Sequence, residues 1–323
     1  MSQTELLTIN QINFRNKNEK TRNNGSKLSY NLFKIEFKTN DSIPKVSKIH
    51  NMPSEPVVVP GSFKPVHEGH FLIGISACKE IYKRTNIKKP IIFELSKFNR
   101  NKPSISDDPV KARIKEFLTP KRPYLHTVKD KAPNFDSYTF YICITETAMF
   151  RDKIDIFGKG ASFVIGADLF VRLISPPKAY SNGKPKNPII ACTEVLSDLI
   201  KFKDNKCKFY VANRLQANKN IANKKVINVN KLNNKNSVGD FNKIIKGQLG
   251  VFRNYIRGSS LYNIQTDAIE FLYENLITDD TLFKKIDDFV NINMSSTMVR
   301  GSTNYSNLNN LKISNGFTNG NGI

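Results

Sequence analysis

The chain has 323 residues, with 50 lysines and arginines against 28 aspartates and glutamates, a formal net charge of +22. Hydrophobic residues make up 39% and the mean hydropathy is −0.41, which allows a packed core beneath a very polar surface. No apolar run approaches the roughly 20 residues of a membrane-spanning helix, and residues 1–10 lack the basic-then-apolar layout of a signal peptide. So much positive charge invites a nucleic-acid partner. The lysines, however, are spread along the chain among asparagines, with no zinc-finger spacing and no RNA-binding aromatic signature. Nucleic acid is therefore not an expected partner. Cys78, Cys143, Cys192 and Cys207 form no Cys-x-x-Cys pair, which predicts reduced core thiols in a cytoplasmic or nuclear protein.

Residues 1–52 are rich in Asn, Lys and Ser and predict a polar tail, dispensable for folding. Its one local element is residues 31–37, which alternate like a strand and could add to a sheet edge. Residues 57–59 (three valines) and 91–96 read as buried strands. Between them, Phe71, Leu72, Ile75, Cys78 and Ile81 have helical spacing. Ser106 is a helix cap and Pro109 a first-turn residue for a helix through residues 110–118. Residues 140–150 read as another helix, residues 162–165 and 208–212 as strands, and residues 176–188 as a loop. Residues 225–229 and 289–292 are further strand candidates, and residues 241–255 and 266–276 have helical spacing. Residues 303–323 are turn-formers and predict a disordered tail, leaving 53–302 as one domain. Strands separated by helices predict an α/β fold with a parallel sheet covered on both faces, where ligands bind beyond the carboxyl ends of the strands.

The densest chemistry falls at such a strand end, in Gly61-Ser62-Phe63-Lys64-Pro65-Val66-His67-Glu68-Gly69-His70. A glycine turn leading into a helix offers bare N–H groups and the positive end of the helix dipole to an anion. His67 and His70, three residues apart, share one helix face. Ser295, Ser296, Thr297 and Arg300 form a second cluster after a strand candidate. Hydroxyls and N–H groups there would face a phosphate, and Arg300 would grip it as a planar fork.

The first cluster resembles the (H/T)-x-G-H signature of nucleotidyltransferases, and the second resembles the I-S-S-T-x-x-R motif of the nicotinamide- and nicotinate-mononucleotide adenylyltransferases. Gly166-Ala167-Asp168 is similar to that family's strand-end G-x-D segment, and Arg214 to its strand-end arginine. The loop from Asn99 to Pro103, with Arg100 and Lys102, resembles its basic substrate-side loop. Lys64 departs from the pattern, standing where the family carries Asn or Asp. The resemblance implies a Rossmann-like fold and transfer of AMP from ATP to a mononucleotide, releasing pyrophosphate. It assigns His70 to the α-phosphate in the transition state and His67 to the α- and β-phosphates. Gly61, Ser62, Phe63 and Lys64 would cradle the phosphates, while Arg300, Ser295, Ser296 and Thr297 would hold the leaving pyrophosphate. Asp168 and Arg214 would position the nucleotide. Lys102 lies on the substrate side, and Glu94 is open to either a substrate contact or a core hydrogen bond. Mg²⁺ would ride on the ATP phosphates without a protein cage. Three alternatives remain open at this point: a phosphopantetheine acceptor, a phosphoalcohol acceptor, or a nucleotide-binding regulator. The oligomeric state is open too, a homo-oligomer included.

Overall fold

The computed structural model describes residues 6–7, 17–21, 27–37, 44–98, 104–118, 123–176, 187–212, 235–257 and 264–286. Strands β1 (Leu6–Leu7), β2 (Asn18–Thr21), β3 (Lys27–Glu36) and β4 (Lys45–Ile49) come first. The alternating part follows: β5 (Val57–Pro60), α1 (Glu68–Thr85), β6 (Ile91–Ser96), α2 (Asp107–Leu118), α3 (Pro123–Lys131), β7 (Phe140–Thr145), α4 (Phe150–Phe157), β8 (Ser162–Gly166) and α5 (Ala167–Ile174). Then come α6 (Pro188–Asp204), β9 (Lys208–Ala212), α7 (Lys235–Arg257), α8 (Ile264–Ile277) and β10 (Phe283–Lys285).

All ten strands join one sheet, in the order β1-β4-β3-β7-β6-β5-β8-β9-β10 with β2 paired on β3. From β7 to β10 every neighbouring pair is parallel. Counted from β5, these six strands run 3-2-1-4-5-6, the doubly wound arrangement whose ligand crevice opens where the order reverses, between β5 and β8. The fold is thus α/β and Rossmann-like, as the alternation of elements predicts.

Side chains on a strand point to opposite faces in turn, so these strands build two cores. Val57, Val59, Ile91 and Phe93 pack against Phe71 and Ile75 of α1 and Val110 and Ile114 of α2. Val58, Ile92, Phe163 and Ile165 pack on the other face against Cys192, Val195 and Leu199 of α6 and Tyr273 of α8. Burial on both faces is why the parallel strands read as continuous apolar runs. Gly74 brings α1 close to the sheet, since a Cβ there would sit 3.0 Å from Ile91 Cγ2 and 3.1 Å from Val59 Cγ2.

Two expectations need correction. Residues 140–145 form the strand β7, and a helix begins only at Phe150. A short apolar run cannot be assigned by periodicity alone; here it fills a slot with partners on both sides, β6 parallel and β3 antiparallel. The second concerns residues 1–52, whose described parts belong to the fold rather than to a tail. β3 pairs with β7 from Tyr30↔Thr145 to Ile35↔Phe140 and carries Tyr30, Leu32, Phe33 and Ile35 into the two cores. An uncovered β7 edge would present a row of unpaired N–H and C=O groups, and β3 removes it. The strand candidates at residues 225–229 and 289–292, and the tail at 303–323, lie outside the described residues.

All four cysteines are free and buried. Burial pushes the Cys192 and Cys207 thiols up to about 12, and it also raises those of Cys78 and Cys143 well above the usual thiol value. Because the thiolate is the reactive form, native protein at neutral pH is expected to consume almost no Ellman's reagent, and unfolded protein four equivalents per chain. Rapid labelling of even one native thiol would contradict this placement.

Candidate functional site

The glycine turn sits at the carboxyl end of β5, beside the reversal of strand order. Gly61 N–H donates to the Glu94 carbonyl of β6 at 3.0 Å. A Cβ on Gly61 would stand 2.8 Å from the Phe63 ring, so this close turn excludes a side chain. Phe63 itself adopts a left-handed backbone with φ of 46°, a strained choice for a non-glycine residue. Its buried ring holds it there, packed edge-on against His70 at 4.9 Å, Phe117 at 5.2 Å and Phe93 at 5.9 Å. Ser62 and Lys64 on either side are exposed.

His67 occupies the N-cap of α1 with an extended backbone (φ −147°, ψ 168°). Its backbone N–H donates to His70 Nδ1 at 3.2 Å, and the His70 N–H donates to the His67 carbonyl at 3.1 Å. The two rings lie 3.8 Å apart, tilted by 36°. This geometry assigns the His70 tautomer: an accepting Nδ1 carries no hydrogen, so the proton of the neutral ring is on Nε2. Val66 N–H donates to Glu116 Oε2 at 3.1 Å, tying the turn to α2. Sequence reasoning gave Glu116 no role, because its only mark is its place on an amphipathic helix.

Across the reversal, β8 pairs with β5 in the register Val57↔Ser162 and Val58↔Phe163. Extending that register sets the Gly61 turn beside the Gly166 turn, where α5 starts and contributes Asp168 in its first turn. α1 leaves toward one core and α5 toward the other, and this divergence opens the crevice between them. The structure therefore brings Gly61, Ser62, Phe63, Lys64, His67 and His70 to one turn, with the Asp168 turn alongside. Lys102, Arg214, Ser295, Ser296, Thr297 and Arg300 lie outside the described residues.

Of the two roles open to Glu94, the structure displays the core hydrogen bond. The residue is 1% exposed; Lys153 of α4 reaches its carboxylate at 2.6 Å and the Thr145 hydroxyl donates to it at 2.5 Å. Glu94 thus fixes the sheet to α4 through its side chain and the glycine turn through its carbonyl. Lys153 has no distinguishing signal in so lysine-rich a sequence. Further along the same edge, Lys97 meets Asp107 at 2.5 Å and Glu146 at 3.6 Å, and Lys17 meets Glu146 at 2.8 Å. The hydrogen bond from Lys97 holds the Asp107 carboxyl below its usual range.

Among the described residues no group of three or more His, Cys, Asp or Glu side chains could hold a metal ion, and no helix is long and apolar enough to cross a membrane. No protein-family model, curated protein or solved structure matches the chain. The class the coordinates define is a doubly wound α/β fold with a two-histidine turn at its crevice.

Proposed function

We propose that the protein is a nucleotidyltransferase that transfers AMP from ATP to a mononucleotide, nicotinamide or nicotinate mononucleotide, in the formation of NAD or its deamido form. One observation carries the reading: a helix N-terminus bearing two histidines whose rings lie 3.8 Å apart, with His70 Nδ1 accepting the His67 N–H, at the crevice of a doubly wound sheet. An acceptor phosphate oxygen attacks the α-phosphorus of ATP, the bond to the β-phosphate oxygen breaks, and pyrophosphate leaves with its electron pair. Such chemistry needs mainly positioning and charge stabilisation. His70 Nε2–H donates to the α-phosphate oxygens as charge redistributes, and the turn amides with Lys64 offset the triphosphate charge. His67, Ser295, Ser296, Thr297 and Arg300 keep the phosphate roles that the resemblance implies, with Mg²⁺ carried by ATP. Buried free thiols favour a reducing compartment, cytoplasmic or nuclear.

The test is pyrophosphate release from MgATP or MgCTP with a panel of mononucleotides, phosphopantetheine and phosphoalcohols. Release with ATP and a pyridine mononucleotide is the expected result; reaction with CTP and a phosphoalcohol alone would refute the acceptor. In the active pair, His70→Ala is expected to lower kcat by on the order of 10²–10³, as loss of an oxyanion donor does. Melting should fall by no more than the loss of a helix cap, about 0.5–2 kcal/mol, because the variant also removes the acceptor for the His67 N–H and the ring packed against Phe63. A kcat within a few-fold of wild type would remove His70 from the chemistry.

A further inference from the structure

α2 lies along the carboxyl edge of the sheet, tied near both ends. Near its start Asp107 accepts from Lys97, the residue after β6, and near its end Glu116 accepts the Val66 N–H, one residue before His67. Between the ties, Val110, Ile114 and Phe117 enter the core. Arg113 lies three residues before Glu116, so the two share a helix face. Arg113 Nη1 is withdrawn from water and has no hydrogen-bond acceptor among the described residues. Burial draws the guanidinium pKa below its usual value, opposed by the charge of Glu116. The group nevertheless stays charged, as arginine does in proteins. Glu116, for its part, already accepts from Val66. A buried guanidinium N–H without an acceptor is unfavourable until an anion supplies one.

The position of α2 says which anion. A doubly wound sheet offers one mononucleotide-binding half on each side of the reversal. α2 follows β6 and belongs to the β5-β6-β7 half, whereas the Asp168 turn opens the β8-β9 half. The His67–His70 turn stands between them. With ATP on the Asp168 side, the half under α2 is left for the second substrate. We propose that Arg113 binds the phosphomonoester of the acceptor as a two-pronged donor beside His70, with Glu116 positioning both the arginine and the turn. The assignment to the acceptor rests on the nucleotidyltransferase reading; the anion site does not.

The test titrates ribose 5-phosphate into full-length protein saturated with magnesium α,β-methylene-ATP, by calorimetry, for wild type, Arg113→Gln and Arg113→Lys, with ribose as control. Loss of a charged two-pronged contact is expected to weaken ribose 5-phosphate about tenfold or more in Arg113→Gln. Affinity for the ATP analogue should stay within about two-fold, and ribose should not bind. Arg113→Lys, which keeps the charge but not the fork, should fall between, and it carries the test alone if the glutamine variant fails to fold. Ribose 5-phosphate affinity equal to wild type in either folded variant overturns the proposal, as does an equal loss of the ATP analogue. Wild-type protein that ignores the ATP analogue would refute the nucleotidyltransferase reading instead, while an Arg113-dependent ribose 5-phosphate signal would still support the anion site.

Discussion

Removing residues 1–50 is expected to abolish folding, because β3 supplies Tyr30, Leu32, Phe33 and Ile35 to the two cores. Burying such a side chain is worth about 1.5–3 kcal/mol, so the four together contribute about 6–12 kcal/mol. That is comparable with the whole stability of an ordinary domain, about 5–15 kcal/mol. The deletion also uncovers β7 from Phe140 to Thr145, whose strand edge would then template aggregation. The measurement is soluble yield and cooperative melting of the truncated chain. A soluble product melting near the full-length protein would show that the alternating part folds without β3.

The second large effect is expected at Lys153. Its ammonium lies 2.6 Å from a carboxylate that is itself 1% exposed, so Lys153→Ala leaves the buried Glu94 carboxyl without its cation. Breaking one side of a buried ion pair costs about 3–5 kcal/mol, more than the pair itself contributes. Melting of the single variant should fall accordingly. The double variant Glu94→Leu/Lys153→Met, which leaves no unpaired charge, should recover much of the loss. Equal melting of Lys153→Ala and wild type would show that water reaches Glu94 and that the pair is not truly enclosed. Since the Glu94 carbonyl accepts the Gly61 N–H, the same variant tests whether the α4 contact supports the glycine turn.

The most legible part of the sequence was the segment around β5 and α1. Three consecutive valines, a glycine turn and apolar residues at helical spacing each point to one local structure, and the structure has all three in place. The nearness of His67 and His70 was legible from their three-residue spacing, although His67 is the extended N-cap and the reciprocal bonds at the helix start bring the two together. Helices α7 and α8 were legible for the same reason, their apolar periodicity being long enough to exclude a strand. Residues 140–145 were not, since six residues of continuous apolar character suit a buried strand or a buried helix equally until the neighbours are known. In β3 the apolar residues sit among Asn and Lys, and composition hid a segment whose pattern was correct.

What the sequence determined by itself is therefore local: element types wherever a period is sustained, and a glycine turn with two histidines at the start of the helix that follows it. Only the tertiary structure decided the 3-2-1-4-5-6 strand order that sets the turn at a crevice, the enclosure of Glu94 by Lys153 and Thr145, and the grip of Glu116 on Val66. The physical reason is range. Periodicity and capping act over a few residues of chain, whereas Glu94 and Lys153 are 59 residues apart and Val66 and Glu116 are 50 apart. Contacts of that separation exist only because the sheet and its helices carry the partners to one place.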